Sequence, residues 1–186
     1  MANKIGRILL GIIILAAIFV GGWYILPGSV KNPILASYQQ RTNDHYDELV
    51  GAVKAATVPK NKKVTFDMMM SGVSEDSCWT IEEGSVDDAG NGTYKVYADA
   101  YKVTVAFENE NNDDGMVTHS NSHVRLQFDI TKDGDTLKIG KNKLEAGKQA
   151  YPFDVIVGEY DYLKADTTST YYQRSLDALC EMATAE

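Results

Sequence analysis

Apolar residues recur at intervals of three and four along the segment that follows Pro33, which is the spacing of an amphipathic helix. Asn32 is a suitable N-cap, Pro33 suits the first helical position, and Pro59 follows the last repeat. We therefore predict one helix over residues 33–57 whose apolar stripe lies on another part of the protein. The stripe comprises Leu35, Tyr38, Thr42, His45, Tyr46, Leu49, Val50, Val53 and Ala56.

From residue 63 onward the apolar period changes from about 3.6 to 2, which indicates β-strands. This alternation is typical of an antiparallel sheet with one packed face and one wet face. We predict six or seven such strands between residues 63 and 161, with a turn at Asp133 and Gly134. The alternating sets are Val64, Phe66, Met68 and Met70; Trp79 and Ile81; Tyr94 and Val96; Tyr101, Val103, Val105 and Phe107; Val124, Leu126, Phe128 and Ile130; Leu137 and Ile139; and Phe153, Val155 and Val157.

A last helical pattern covers residues 168–183 and places Tyr172, Leu176, Leu179 and Cys180 on one side. The predicted fold is therefore α+β, with an amphipathic helix on an antiparallel sheet and a C-terminal helix. A cystatin-like arrangement, or one similar to it, has this order of elements. Residues 29–186 have the length of one domain with a substantial core.

Residues 8–26 are uninterruptedly apolar, with Lys4 and Arg7 before them and Pro27 and Gly28 after them. As a helix they span about 28 Å, close to the ~30 Å hydrocarbon core of a bilayer. The alternative is a cleaved signal peptide, whose apolar region is usually ~7–15 residues and ends in small residues. This run is longer and ends in aromatic and branched residues, so we predict a retained single-pass anchor, a signal-anchor, within residues 1–28.

Charge predicts the orientation of this anchor. Two of the 18 Lys and Arg residues precede it, whereas all 26 acidic residues follow it, so the part after the anchor carries a formal charge of −10. Positive residues favour the cytoplasmic side. We therefore expect a cytoplasmic N-terminus and an extracytoplasmic C-terminal domain in a bacterial cell envelope. We expect no nucleic-acid partner, since the negatively charged domain would repel phosphates.

Two segments contain residue types that bind metals in other contexts. His119 and His123 are four apart, but they lead into a predicted strand, where this spacing separates them by about 13 Å. Glu110, Asn112 and Asp114 loosely follow the start of a calcium loop, but the remaining ligand pattern is missing and strands flank it. There is no nucleophile elbow and no phosphate-binding glycine loop. We predict no catalytic, cofactor or metal site.

Cys78 and Cys180 are the two cysteines, and both follow the anchor. They are a candidate disulfide that would join the second strand to the C-terminal helix, worth roughly 4–5 kcal/mol by loop entropy. The other interpretation is two unrelated buried thiols. The sequence leaves both open.

Elimination and the anchor together favour a membrane protein without catalytic activity. We expect its exported domain to bind a protein partner at or in the membrane, or to assist assembly of an envelope complex, in an undetermined oligomeric state. A first alternative is a sensor or carrier that holds a small ligand near Tyr38, Tyr46, Trp79 and Tyr94. A second is a wall-polymer hydrolase, which would need two carboxylates facing one cleft.

Overall fold

The computed structural model of the chain describes residues 21–59, 61–108, 116–148, 154–161 and 170–185, and it confirms the α+β class. Residues 21–25 are helical and precede a bend at Leu26. The helices after it are α1 (Gly28–Thr42), α2 (Tyr46–Ala55), α3 (Phe66–Val73) and α4 (Thr170–Thr184). The strands are β1 (Thr57–Val58), β2 (Asn61–Thr65), β3 (Ser77–Val86), β4 (Gly92–Glu108), β5 (Met116–Asp133), β6 (Thr136–Lys148) and β7 (Asp154–Asp161).

The main sheet has five antiparallel strands in the order β3-β4-β5-β6-β7, so each strand pairs with its neighbour in sequence. Glycines with positive φ turn two of the hairpins, Gly90 between β3 and β4 and Gly134 between β5 and β6. Strands β1 and β2 form a separate two-stranded hairpin. The prediction of six or seven strands in one sheet was therefore too high.

One predicted strand is wrong beyond its first residues. The alternation read from Val64 to Met70 continues as a strand only to Thr65, after which α3 begins. Thr65 caps this helix, because its side-chain oxygen accepts a hydrogen bond from the Met68 backbone N–H at 3.2 Å. The buried positions Phe66, Met69 and Met70 have the spacing of a helix. The sequence is ambiguous here, because the three consecutive methionines are compatible with a helical period as well as with a period of two.

The helix predicted over residues 33–57 is two helices. Asn43 adopts an extended backbone conformation, and its side chain accepts a hydrogen bond from the His45 N–H at 2.9 Å, so the chain turns between α1 and α2. The helix also begins earlier than predicted, since Pro27 occupies the N-cap position and Pro33 lies inside α1. Asn32 is consequently not a cap and turns its side chain inward.

The core lies between one face of the main sheet, which we call the inner face, and helices α2, α3 and α4. In the centre of the inner face, Ala98, Leu126 and Leu144 stand side by side on three strands and are inaccessible to solvent. Phe66 of α3 meets Phe128 edge to face, with ring centroids 4.8 Å apart. The helical core residues are Tyr46, Leu49, Val50, Val53, Phe66, Met69, Met70, Tyr172, Leu176, Leu179 and Cys180.

Helices α3 and α4 approach each other closely at Gly72. A Cβ at this position would lie 2.6 Å from the Cβ and 2.7 Å from the backbone oxygen of Ala183. Only glycine fits this crossing without a shift of backbone. The C-terminal helix, predicted over residues 168–183, is therefore fixed to α3 as well as to the sheet.

Residues 1–20, which contain most of the predicted anchor, and residues 109–115, which contain the acidic loop, lie outside the described part of the chain. Among the helices that are described, none combines the length and the apolar character needed to cross a bilayer.

Candidate functional site

The other face of the main sheet, which we call the open face, carries a continuous polar row. Strand register aligns Thr80, Tyr97, Gln127, Lys143 and Glu159, one from each strand from β3 to β7. All but Thr80 are partly exposed. The alternation of side chains along each strand produces this row, because the neighbours of these residues in sequence point into the core.

Contacts between side chains hold the open face in a defined arrangement. The Arg125 guanidinium lies over the Tyr97 ring, 4.8 Å from its centroid, and the Tyr97 hydroxyl donates a hydrogen bond to Glu82 at 2.8 Å. Glu159 pairs with Lys141 and with Lys143, the latter at 3.4 Å. The surface therefore presents an oriented aromatic ring and charges of both signs.

Two acids of the open face, Glu82 and Glu159, are held in their ionised form. A hydrogen bond from Tyr97, helped by Lys95, lowers the pKa of Glu82, and Lys141 in the same way lowers the pKa of Glu159. A glycosidase acid needs a raised pKa to be protonated near neutrality. These two carboxylates therefore do not suit that role.

A second cluster, the Asp99 cluster, lies at one end of the open face beneath α1. It consists of Asp99, His123, Arg125, Asn32 and Tyr101. The Asp99 carboxylate is inaccessible to solvent and accepts hydrogen bonds from Arg125 Nε at 2.8 Å and Nη2 at 3.1 Å. His123 Nε2 contacts the same carboxylate at 2.5 Å, and Asn32 Nδ2 donates to it at 3.2 Å. The bidentate pair and the further donors offset the cost of burying the charge.

Aromatic contacts complete the Asp99 cluster. The His123 ring stacks on Tyr101 with centroids 4.6 Å apart, and Asn32 Nδ2 also donates to the Tyr101 hydroxyl at 2.6 Å. Burial by itself raises the pKa of Asp99, but the hydrogen bonds from His123 and Arg125 together outweigh it and keep that pKa below its ordinary value. With its oxygens engaged in this way, the carboxylate serves to fix α1 on the sheet.

Both cysteines are buried free thiols, so the candidate disulfide between Cys78 and Cys180 is not formed in the structure. Cys78 is paired across strands with Asp99 on the open-face side, whereas Cys180 belongs to the inner core, with its Sγ 3.7 Å from the Met69 sulfur. Burial, reinforced by nearby acids, raises the pKa of Cys78 to about 12 and that of Cys180 to about 11. Protonated thiols are poor nucleophiles.

The remaining candidates do not form one site. His119 and His123 both lie on β5, and in the part of the chain that the structure describes no three His, Cys, Asp or Glu residues are placed to hold a metal ion.

The four aromatic residues of the sensor hypothesis do not line one pocket. Tyr46, Trp79 and Tyr94 are buried in the core, whereas Tyr38 is 63% exposed.

The exposure of Tyr38 reflects an inverted arrangement of α1, whose polar side faces the protein. Gln39 Nε2 donates to the Ile81 carbonyl at 2.7 Å, and the Ile81 N–H donates to Gln39 Oε1 at 3.0 Å. The Gln39 amide therefore makes both hydrogen bonds that a neighbouring strand would make to Ile81 on the outer edge of β3. The Tyr46 hydroxyl donates to a second carbonyl of β3, that of Trp79, at 2.8 Å. The prediction that Tyr38 belongs to the buried stripe was wrong, because amides rather than apolar side chains attach α1.

Sequence reasoning missed the Asp99 cluster and the role of Gln39. A weak signal was present, since Asp99 stands between alanines and tyrosines, and His123 and Arg125 alternate on one strand face. Only the register of β4 against β5 places Asp99 opposite Arg125. No protein-family model, curated protein or solved structure matches this chain.

Proposed function

We propose that the chain is a membrane-anchored, non-catalytic protein whose extracytoplasmic domain binds a protein partner through the open face, in assembling or maintaining a cell-envelope complex. The observation that carries this proposal is the organised polar row of the open face. Tyr and Arg are the residue types enriched where proteins bind one another, and here Arg125 is already stacked on Tyr97.

The arrangement favours binding because it is preorganised. Tyr97 is held by Glu82 and Arg125, and Arg125 is held by the buried Asp99, so little side-chain entropy remains to be lost on association. The mixed charges of the row suit a partner with complementary charges. The apolar run over residues 8–26 supports the anchor, and the acidic balance after it supports an exported domain.

Site-directed photo-crosslinking in native membranes tests the proposal. A benzophenone amino acid at Gln127 should give discrete adducts, and the same probe at Asp88, in the exposed β3–β4 turn, is the control. Reversal of the charge of Lys143 to Glu should remove the Gln127 adducts while the anchored protein remains in the carbonate-washed membrane. Equal labelling from Gln127 and Asp88, insensitive to Lys143, would exclude the open face as the binding surface.

A further inference from the structure

The outward side of α1 carries a row of apolar side chains that the fold leaves in solvent. This outer stripe consists of Leu26 just before the helix, then Val30, Ile34 and Tyr38, which are 38%, 45%, 48% and 63% exposed. The four residues are each four apart, and Val30, Ile34 and Tyr38 follow one another along one side of α1. This helical part of the stripe is about 12 Å long at 1.5 Å per residue.

The helix that carries the outer stripe is basic, although the domain as a whole is acidic. Helix α1 contains Lys31 and Arg41 and no acidic residue, although the whole segment after the anchor has a formal charge of −10. Arg41 follows Tyr38 by three positions and Ile34 by seven, so it continues the same side of the helix. Lys31 reaches back toward the anchor, where its Nζ lies 6.0 Å from the centre of the Trp23 ring.

The position of the stripe in the chain places it beside the bilayer. It begins at the last residue of the apolar run, and the bend at Leu26 with Pro27 separates the preceding helical residues from α1. A helix with exposed apolar residues flanked by Lys and Arg is the type that lies in the interface of an anionic membrane.

We propose that α1 docks along the surface of the membrane through the outer stripe, with Lys31 and Arg41 on anionic headgroups. The inference rests on the proposed function, because it needs the anchor. Since α1 covers the edge of β3, docking directs that edge of the sheet to the bilayer. Strand β7 is then the strand farthest from the bilayer, about 19 Å beyond β3 at ~4.8 Å per strand.

Lipid quenching of a fluorescent label tests this docking on the full chain. Ile34→Cys and Tyr38→Cys variants carry a nitrobenzoxadiazole label and are reconstituted in phosphatidylcholine vesicles with or without phosphatidylglycerol, each containing brominated lipid. Gln40→Cys is the matched control, since it is exposed on the same helix but points away from the stripe. The buried native thiols should label little, and wild-type protein gives the blank.

We expect quenching at Ile34 and Tyr38 that exceeds the quenching at Gln40 by roughly twofold or more. The anionic lipid should strengthen it, and the double variant Lys31→Glu, Arg41→Glu should lower the ratio of docked to undocked protein by about 30-fold or more. Equal quenching at all three positions would overturn the inference. Efficient oxidative cross-linking of Tyr38→Cys to itself, without lipid quenching, would assign the stripe to a second copy instead.

A label at Ile25→Cys separates failure of the docking from failure of the anchor. If Ile25 is quenched and the stripe positions are not, the anchor stands and docking is refuted. If Ile25 is also unquenched, and carbonate extracts the chain from membranes, then the anchor and the proposed function fail together.

Discussion

Replacing Asp99 with asparagine should destabilise the domain more than any other change to a polar side chain of the open face. The substitution keeps the shape of the side chain but removes the charge that Arg125 and His123 contact. It also turns an amide N–H₂ toward donors that require an acceptor. Removing one partner of a buried pair costs about 3–5 kcal/mol. Arg125 retains 27% exposure, so we expect about 3 kcal/mol, the lower end.

Urea and thermal unfolding of the domain that follows residue 28, compared at pH 7, measure this loss. For a domain of this size, about 3 kcal/mol corresponds to a fall in Tm of roughly 6–12 °C. Glu82→Gln is the matched control, because its carboxylate pairs in an exposed position and should change the free energy of unfolding by less than about 1 kcal/mol. If Asp99→Asn and Glu82→Gln had the same small effect, the Asp99 cluster would not fix α1 as argued.

The pH dependence gives an independent test of the same reasoning. The folded pKa of Asp99 lies below its unfolded value, which is about 3.9. The stabilisation from its ionised form is therefore fully present above that unfolded pKa and declines as pH falls through the folded pKa. The difference in stability between wild type and Asp99→Asn should shrink as pH falls below about 4, where Asp99 itself becomes protonated. A difference that grows below about pH 4 would refute the assignment.

Three further outcomes are expected. Gly72→Val should lower the free energy of unfolding by about 1–3 kcal/mol, because its Cβ would collide with the Ala183 backbone, as chemical denaturation would measure. Gln39→Ala should cost about 1–3 kcal/mol and speed hydrogen exchange along the outer edge of β3, because two backbone groups lose their partner. Cys78 and Cys180 should react slowly with a maleimide at pH 8 in native protein and rapidly in urea, because burial keeps both thiols protonated.

The Gly72 and Gln39 variants each have a matched control substitution elsewhere in the chain. Gly51→Val is the control for Gly72, since an added Cβ there meets no atom within 4 Å. Gln40→Ala is the control for Gln39, because Gln40 is exposed on the neighbouring position of α1. Equal losses within either pair would contradict the structural reason given, as would rapid labelling of the native thiols.

The sequence by itself predicted those elements in which the spacing of apolar residues fits only a strand or only a helix. Strand β5 alternates Val124, Leu126, Phe128 and Ile130 with polar residues, and the structure buries those four on the inner face. The turn at Gly134 and the C-terminal helix were also predicted, because a glycine turn and a 3.6-residue apolar stripe are local properties. The segment from Phe66 to Met70 was not, because its apolar positions satisfy both periods and the Thr65 cap selects the helix.

Tertiary structure alone decided which side of α1 faces the protein. A periodic pattern identifies the apolar side of a helix, but it assumes that this side is the one that packs. Here Gln39 and Asn32 attach α1 through hydrogen bonds to the β3 edge and to Asp99, and these partners are 42 and 67 residues away in sequence. Strand register likewise created the Asp99 cluster and the polar row. Long-range pairing sets such contacts, so the outward stripe of α1 becomes visible only in the folded chain.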